Sequence, residues 1–104
     1  MSHRCNRCEP LSVEVLQAAE ILGRRWALAL LYASHEGAVR FNEFRQALGE
    51  VPPGTLAQRL ADLEDAGLLE RRVIDARPPR VEYRLTPKGQ RLEAVVEMMR
   101  RWPA

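Results

Sequence analysis

Two groups of side chains in this sequence carry chemistry. The first is Cys5-Asn6-Arg7-Cys8, a C-x-x-C pair with Arg4 and Arg7 beside it. Guanidinium charge next to a thiol favours the thiolate, the nucleophilic and oxidisable form, so Cys8 with Cys5 reads as a redox switch. Two other readings stay open. A metal held by the pair needs further ligands, and the chain offers His3 and His35 but no second C-x-x-C or His pair, so no metal site is assigned. Alternatively, both are inert thiols on a flexible tail. In a reducing compartment a structural disulfide is the least expected use.

The second group is basic and amide-bearing. Gln58 suits the adenine edge, Arg59 suits guanine or phosphate, and Thr55 hydrogen-bonds either way. Arg77 and Arg80 flank Pro78-Pro79, a stiff loop that fits phosphates or a minor groove. Over residues 71–88, with Lys88 at the end, six basic residues face two acidic ones, Asp75 and Glu82. The formal net charge of +2 is uninformative; this local cluster is what attracts a polyanion. The plainer readings are that Arg71, Arg72 and Arg84 line a solvated face, that Arg24 and Arg25 satisfy helix ends, that Trp26 is core, and that His35 is a solvated helix-end residue.

Hydrophobic spacing indicates the elements that hold these groups. Leu11–Leu22 reads as a helix with Ser12 as N-cap and Gly23 as stop. Its apolar residues Val15, Leu16, Ala18, Ala19 and Leu22 cover more than one stripe, as in a helix sandwiched between two surfaces. A second helix runs from Arg25 to about Ser34. Val39-Arg40-Phe41 is expected as a short strand, with Asn42 capping a third helix through Phe44, Ala47 and Leu48. Beyond the Gly49–Gly54 turn a fourth helix covers Thr55–Ala66, ended by Gly67 at C′. Leu56, Leu60 and Leu63 define its buried face, so the helical period turns Thr55, Gln58, Arg59 and Asp62 outward.

After Gly67 the period changes to that of strands at Leu69–Ile74 and Val81–Leu85. In the second strand Val81, Tyr83 and Leu85 alternate with Glu82 and Arg84, which assigns the apolar three to the buried face. Thr86-Pro87 opens a last helix, with proline at N1 where its missing N–H costs nothing. That helix carries Leu92, Val95, Val96, Met99 and Trp102 on one stripe. The expected fold is mainly α with a small β-hairpin wing, one domain over residues 1–104 with residues 1–10 as a flexible, cysteine-bearing tail. Helix, turn, amphipathic helix and basic ribbon form the layout of a winged helix-turn-helix, whose second helix enters a major groove about 12 Å wide.

Several stretches resemble the HxlR-type regulators, relatives of the MarR winged helices. They are Ile21-Leu22-Gly23-Arg24-Arg25-Trp26, Arg40-Phe41-Asn42-Glu43-Phe44, Leu56-Ala57-Gln58-Arg59-Leu60 with Leu63-Glu64, Gly67-Leu68, and the run from Pro78 to Gly89. The resemblance covers roughly Cys8 to Trp102. It implies a sequence-specific regulator that binds double-stranded DNA as a homodimer through its first and last helices, here through Leu16, Leu92, Val95, Val96, Met99 and Trp102. Some members of that family sense oxidants or electrophiles through an N-terminal cysteine placed before a proline; here Glu9 separates Cys8 from Pro10. The family's serine N-cap is Pro52 here, and Gly54 stands where a basic residue is common, so one cap and one phosphate contact are expected to be missing.

The sequence also excludes. It holds no nucleophile elbow, phosphate loop or paired His–carboxylate motif, so no catalytic residue and no cofactor are assigned. No apolar run approaches the roughly 18 residues of a membrane span, and Met1–Pro10 is polar and basic rather than a secretory signal. The expected location is the cytoplasm, and an effector, small molecule or oxidant, is an open partner. The competing functional class is a winged helix used for protein interaction without specific DNA binding.

Overall fold

The computed structural model describes residues 9–103. Cys5 and Cys8 lie outside them. Helix α1 (Val13–Leu22) begins at Ser12, whose hydroxyl accepts the Val15 N–H at 3.2 Å. Helix α2 (Ala27–His35) starts two residues later than expected, behind Trp26 at φ 77°, the one non-glycine positive φ among the described residues. The indole packs on the core and the Arg25 guanidinium sits over its ring at 5.2 Å, contacts that hold a backbone conformation a bulky residue rarely adopts. Ala27, Leu30, Leu31 and Ala33 are all buried, because α2 is central: α1, α3, α4, α6 and the ribbon all pack on it.

Helix α3 (Phe41–Leu48), by contrast, starts earlier than expected. Its N-cap is Arg40 rather than Asn42, and the capping is done from N3: Glu43 accepts the N–H of Val39 at 2.9 Å and of Arg40 at 2.8 Å. Those backbone donors hold the Glu43 carboxyl below its ordinary range. The expected strand at 39–41 reduces to one bond, Tyr83 N–H to Val39 O at 2.7 Å, since Phe41 is already helical. Phe44 is its fully buried anchor.

Helix α4 (Pro53–Asp65) closes on a Schellman motif, with Leu68 N donating to Leu63 O and Gly67 N to Glu64 O. Gly67 takes φ 77° there, and the flanking Leu63 and Leu68 are both buried. Strands β1 (Leu69–Ile74) and β2 (Arg80–Leu85) pair antiparallel in the register Leu69 to Leu85 through Ile74 to Arg80.

The last helix is not continuous. Helix α5 (Pro87–Gln90), capped by Thr86 accepting from Gly89 N at 3.0 Å, gives way to α6 (Glu93–Arg101). His35 Nε2 and Leu92 N both take the Gly89 carbonyl, which shifts the ladder to i→i+3 bonds and breaks the helix there. His35 is therefore half-buried and hydrogen-bonded, not solvated.

Leu30, Phe44, Leu56, Leu60, Leu63 and Leu69 centre one core between α2, α3, α4 and the ribbon. Helix α1 contributes no buried residue, and its partly buried Ile21 and Leu22 alone reach that core. The molecule is elongated, 64 × 32 × 24 Å, with a radius of gyration of 16.2 Å. A compact domain of this length has one of about 13 Å.

Candidate nucleic-acid interface

Two prolines that read as turn breakers start α4. Pro52 is its N-cap and Pro53 its N1 residue, where the fixed φ is already helical and the absent N–H has no partner to lose. No side chain caps this end, as expected from Pro52. The helix thus begins two residues before Thr55 and brings Gly54 into its first turn. Around the entrance Arg25, Trp26, Glu50, Pro52, Thr55 and Arg59 line a cleft of about 370 Å³.

Leu56, Leu60 and Leu63 are fully buried, which leaves Pro53, Gly54, Ala57 and Gln58 exposed and Thr55 half-buried. Arg59 is less free than its position suggests: its Nε donates to Arg25 O at 2.9 Å and its Nη1 to Asp62 Oδ2 at 3.1 Å. Asp62 departs from the outward placement that the helical period assigns. It is 9% exposed, turned back to accept Gln58 Nε2 at 2.9 Å and to pair with Arg24 Nη1 at 3.0 Å. Burial by itself would raise its carboxyl; the Gln58 amide, Arg24 and Arg59 outweigh that and hold it below the ordinary value.

The ribbon also differs from its sequence pattern. Glu82, assigned to the wet face, is 4% exposed, while Val81 and Tyr83 are half-buried. Arg80, Glu82 and Arg84 share one face of β2, opposite Ile74, Arg72 and Glu70 of β1. Arg84 bonds Glu82 Oε1 through Nε at 2.9 Å and Nη2 at 2.7 Å, and Arg80 Nε reaches Oε2 at 3.1 Å. Arg84 first, then Arg80, hold the Glu82 carboxyl below its usual range. One carboxylate thus gathers two wing guanidiniums and partly neutralises both. Arg71 and Arg77 are exposed and make no ion pair among the described residues. Lys88 is engaged elsewhere: its Nζ bonds Ala66 O at 2.7 Å, on the last carbonyls of α4.

Leu16 is 51% and Trp102 82% exposed, and Val13, Val15 and Met98 are exposed with them. Val95, Met98, Met99, Trp102 and Pro103 line an apolar groove on α6. Val96 is different from the rest of the stripe: at 1% exposure it faces into its own chain, and Leu92 packs on the core.

Residues 21–104 match the family model described as HxlR-like helix-turn-helix. The chain belongs to this family. Among HxlR-like relatives, it is 40% identical over 83 residues to the uncharacterized HTH-type transcriptional regulator YdeP of Bacillus subtilis, an alignment covering 80% of this chain and 65% of that one. The chain thus spans just under two thirds of that relative's length. The reduced form of the transcriptional regulator YodB from B. subtilis superposes with a TM-score of 0.79 at 32% identity, covering 89% of this chain and 91% of its own. The redox regulator HypR in its reduced form gives 0.75 at 36% identity, over 86% and 88%. The HxlR-like fold expected from the sequence, a winged helix-turn-helix with a two-stranded wing, is the observed one. No helix among the described residues is long and apolar enough to cross a membrane, and no group of three or more His, Cys, Asp or Glu there could hold a metal.

Two features of this HxlR-like chain escape its sequence pattern: the Arg24–Asp62 pair between the α1–α2 turn and α4, and the Glu82 clamp. Arg24 shows in the sequence only as a helix-end charge, and Glu82 only as the polar half of an alternation.

Proposed function

We propose that this HxlR-like chain is a sequence-specific double-stranded DNA-binding transcription regulator that acts as a homodimer in the cytoplasm. The observation that carries the reading is α4, whose apolar face is fully buried and whose other side presents Gln58 and the free edge of Arg59. Gln58 and Arg59 read base edges, Thr55 and the entrance of α4 meet the backbone, and Arg77 and Arg80 on the wing meet phosphate. Lys88 adds positive charge at the foot of the wing while its ammonium caps α4.

The uncovered apolar faces of α1 and α6 support the dimer. Leu16, Val95, Met99 and Trp102 form the subunit contact, Leu92 borders it, and Val96 supports α6 from inside. A symmetric pair sets its two α4 helices about one DNA turn, or a multiple of it, apart. The redox regulators among the structural neighbours support an oxidant as effector acting at Cys8, with Cys5 second. No catalytic residue, metal or cofactor enters this reading.

Fluorescence anisotropy with the duplex upstream of the chain's own gene tests it. The expected result is specific binding that falls steeply with salt, resists competitor DNA and weakens on oxidation in the parent but not in Cys8→Ser. Undetectable binding at low salt, or equal binding to any duplex, would leave the protein-interaction module as the better reading. In sedimentation, Trp102→Glu is expected to run as a monomer where the parent runs as a dimer.

A further inference from the structure

Asp62 sits one turn beyond Gln58 and Arg59 on α4, and three side chains converge on it. Oδ1 accepts Gln58 Nε2 at 2.9 Å, while Oδ2 meets Arg59 Nη1 at 3.1 Å and Arg24 Nη1 at 3.0 Å. A carboxylate so far withdrawn from water persists because its charge and lone pairs are matched. Arg24 lies in the turn after α1, and its other donors grip α1: Nη2 and Nε reach Glu20 Oε1 at 2.8 and 3.1 Å. One chain of charges, Glu20–Arg24–Asp62, therefore runs from the last turn of α1 to α4, behind Gln58 and Arg59.

The amide chemistry of Gln58 makes this contact directional. An ionised carboxylate only accepts hydrogen bonds, so the amide must meet Asp62 through its NH₂ end. That fixes which way the amide is turned. The carbonyl and the second N–H remain, and they are the pair that adenine N6 and N7 require. Arg59 is held in the same way at Nε and Nη1, which leaves Nη2 with no bond among the described residues.

We propose that Asp62 is a specificity-positioning residue, orienting Gln58 and Arg59 for base reading and tying their placement through Arg24 to Glu20 on α1. The inference rests on the DNA-binding reading above and adds the side chain that sets its selectivity. Without Asp62 the readers keep their donors but lose their orientation. Base choice then loosens, while attraction to phosphate holds or rises because a negative charge has gone.

The test uses the full chain and a duplex pool randomised over about 20 base pairs, two helical turns. The parent selects its preferred duplex, and affinities for that duplex and for the unselected pool are compared across variants. Asp62→Asn is expected to lose about tenfold in the ratio of selected to unselected affinity, with pool affinity equal or tighter. Arg24→Ala moves the ratio the same way and serves in its place should Asp62→Asn not fold. Added to Gln58→Ala/Arg59→Ala, Asp62→Asn is expected to change the ratio by less than about twofold, since nothing remains to be oriented.

An unchanged base preference in Asp62→Asn and Arg24→Ala overturns the assignment. So does a loss that is uniform over all duplexes, or an undiminished loss in the double-variant background. A parent that enriches no duplex at all overturns the regulator reading and this inference with it, a result distinct from the other three.

Discussion

In the proposed interface Arg77 and Gln58 meet DNA chemistry of different kinds, and their removal should be distinguishable. Arg77 is an exposed charge on the wing with no ion pair among the described residues, so the proposed interface assigns it to phosphate. Arg77→Ala should weaken binding to all duplexes alike and reduce the slope of log K against log salt by about 1. Gln58 carries no charge, so Gln58→Ala should leave that slope in place and cost about 1–3 kcal/mol on the preferred duplex alone. Salt titrations on selected and unselected duplexes separate the two; equal slopes for Arg77→Ala and the parent would remove Arg77 from the interface. Arg80 should give a smaller effect than Arg77, because Glu82 already holds its guanidinium at 3.1 Å.

At the scale of elements, two glycines behave oppositely. Gly54 in the first turn of α4 has open space where a Cβ would stand, so Gly54→Ala is expected to stabilise by about 0.5–1 kcal/mol through the unfolded chain. Gly89 is where α5 crosses the ribbon's start. A Cβ there would overlap the Leu68 carbonyl oxygen, a backbone atom rather than the end of a flexible side chain. Gly89→Ala should cost about 3 kcal/mol. Urea midpoints at fixed protein concentration check both, and a neutral Gly89→Ala would show that α5 can lift from Leu68. The same junction carries the Thr86 cap of α5 and the His35 bond, and the His35 bond ties it to α2.

For the whole molecule, three carboxylates are held by several donors each: Glu43 at the start of α3, Asp62 between α4 and the α1–α2 turn, and Glu82 within β2. All are held below their ordinary range. The unfolded chain therefore takes up protons first as the pH enters the usual carboxylate range near 4. Their stabilisation is complete above that range and is lost as the pH falls through the lower folded values. Thermal midpoints are expected to drop from about pH 4 downward, with a shallower acid limb in Glu82→Gln. An identical acid limb in that variant would mean the Glu82 clamp contributes nothing to folding. The elongated shape belongs to this scale too, since the terminal helices carry apolar surface that a single chain leaves wet.

Period and punctuation in the sequence determined the order of the first four helices and the ribbon, the buried face of α4, the Schellman stop at Gly67 and the basic wing, because each depends on residues close along the chain; the strand expected at 39–41 and an unbroken last helix did not form. Helix starts at Phe41 and Pro53 were less legible: a Glu at N3 outweighs an Asn at the expected cap, and proline both breaks and begins helices. What only the tertiary structure decided is where charge goes. Asp62 is turned inward by Arg24, 38 positions away in sequence, and Glu82 is buried by arginines on its own strand face. Periodicity sorts residues by polarity and sends every carboxylate to water. Packing sends it wherever enough donors meet, and in this chain they meet behind Gln58 and Arg59, two of the side chains that the sequence alone marks for reading bases.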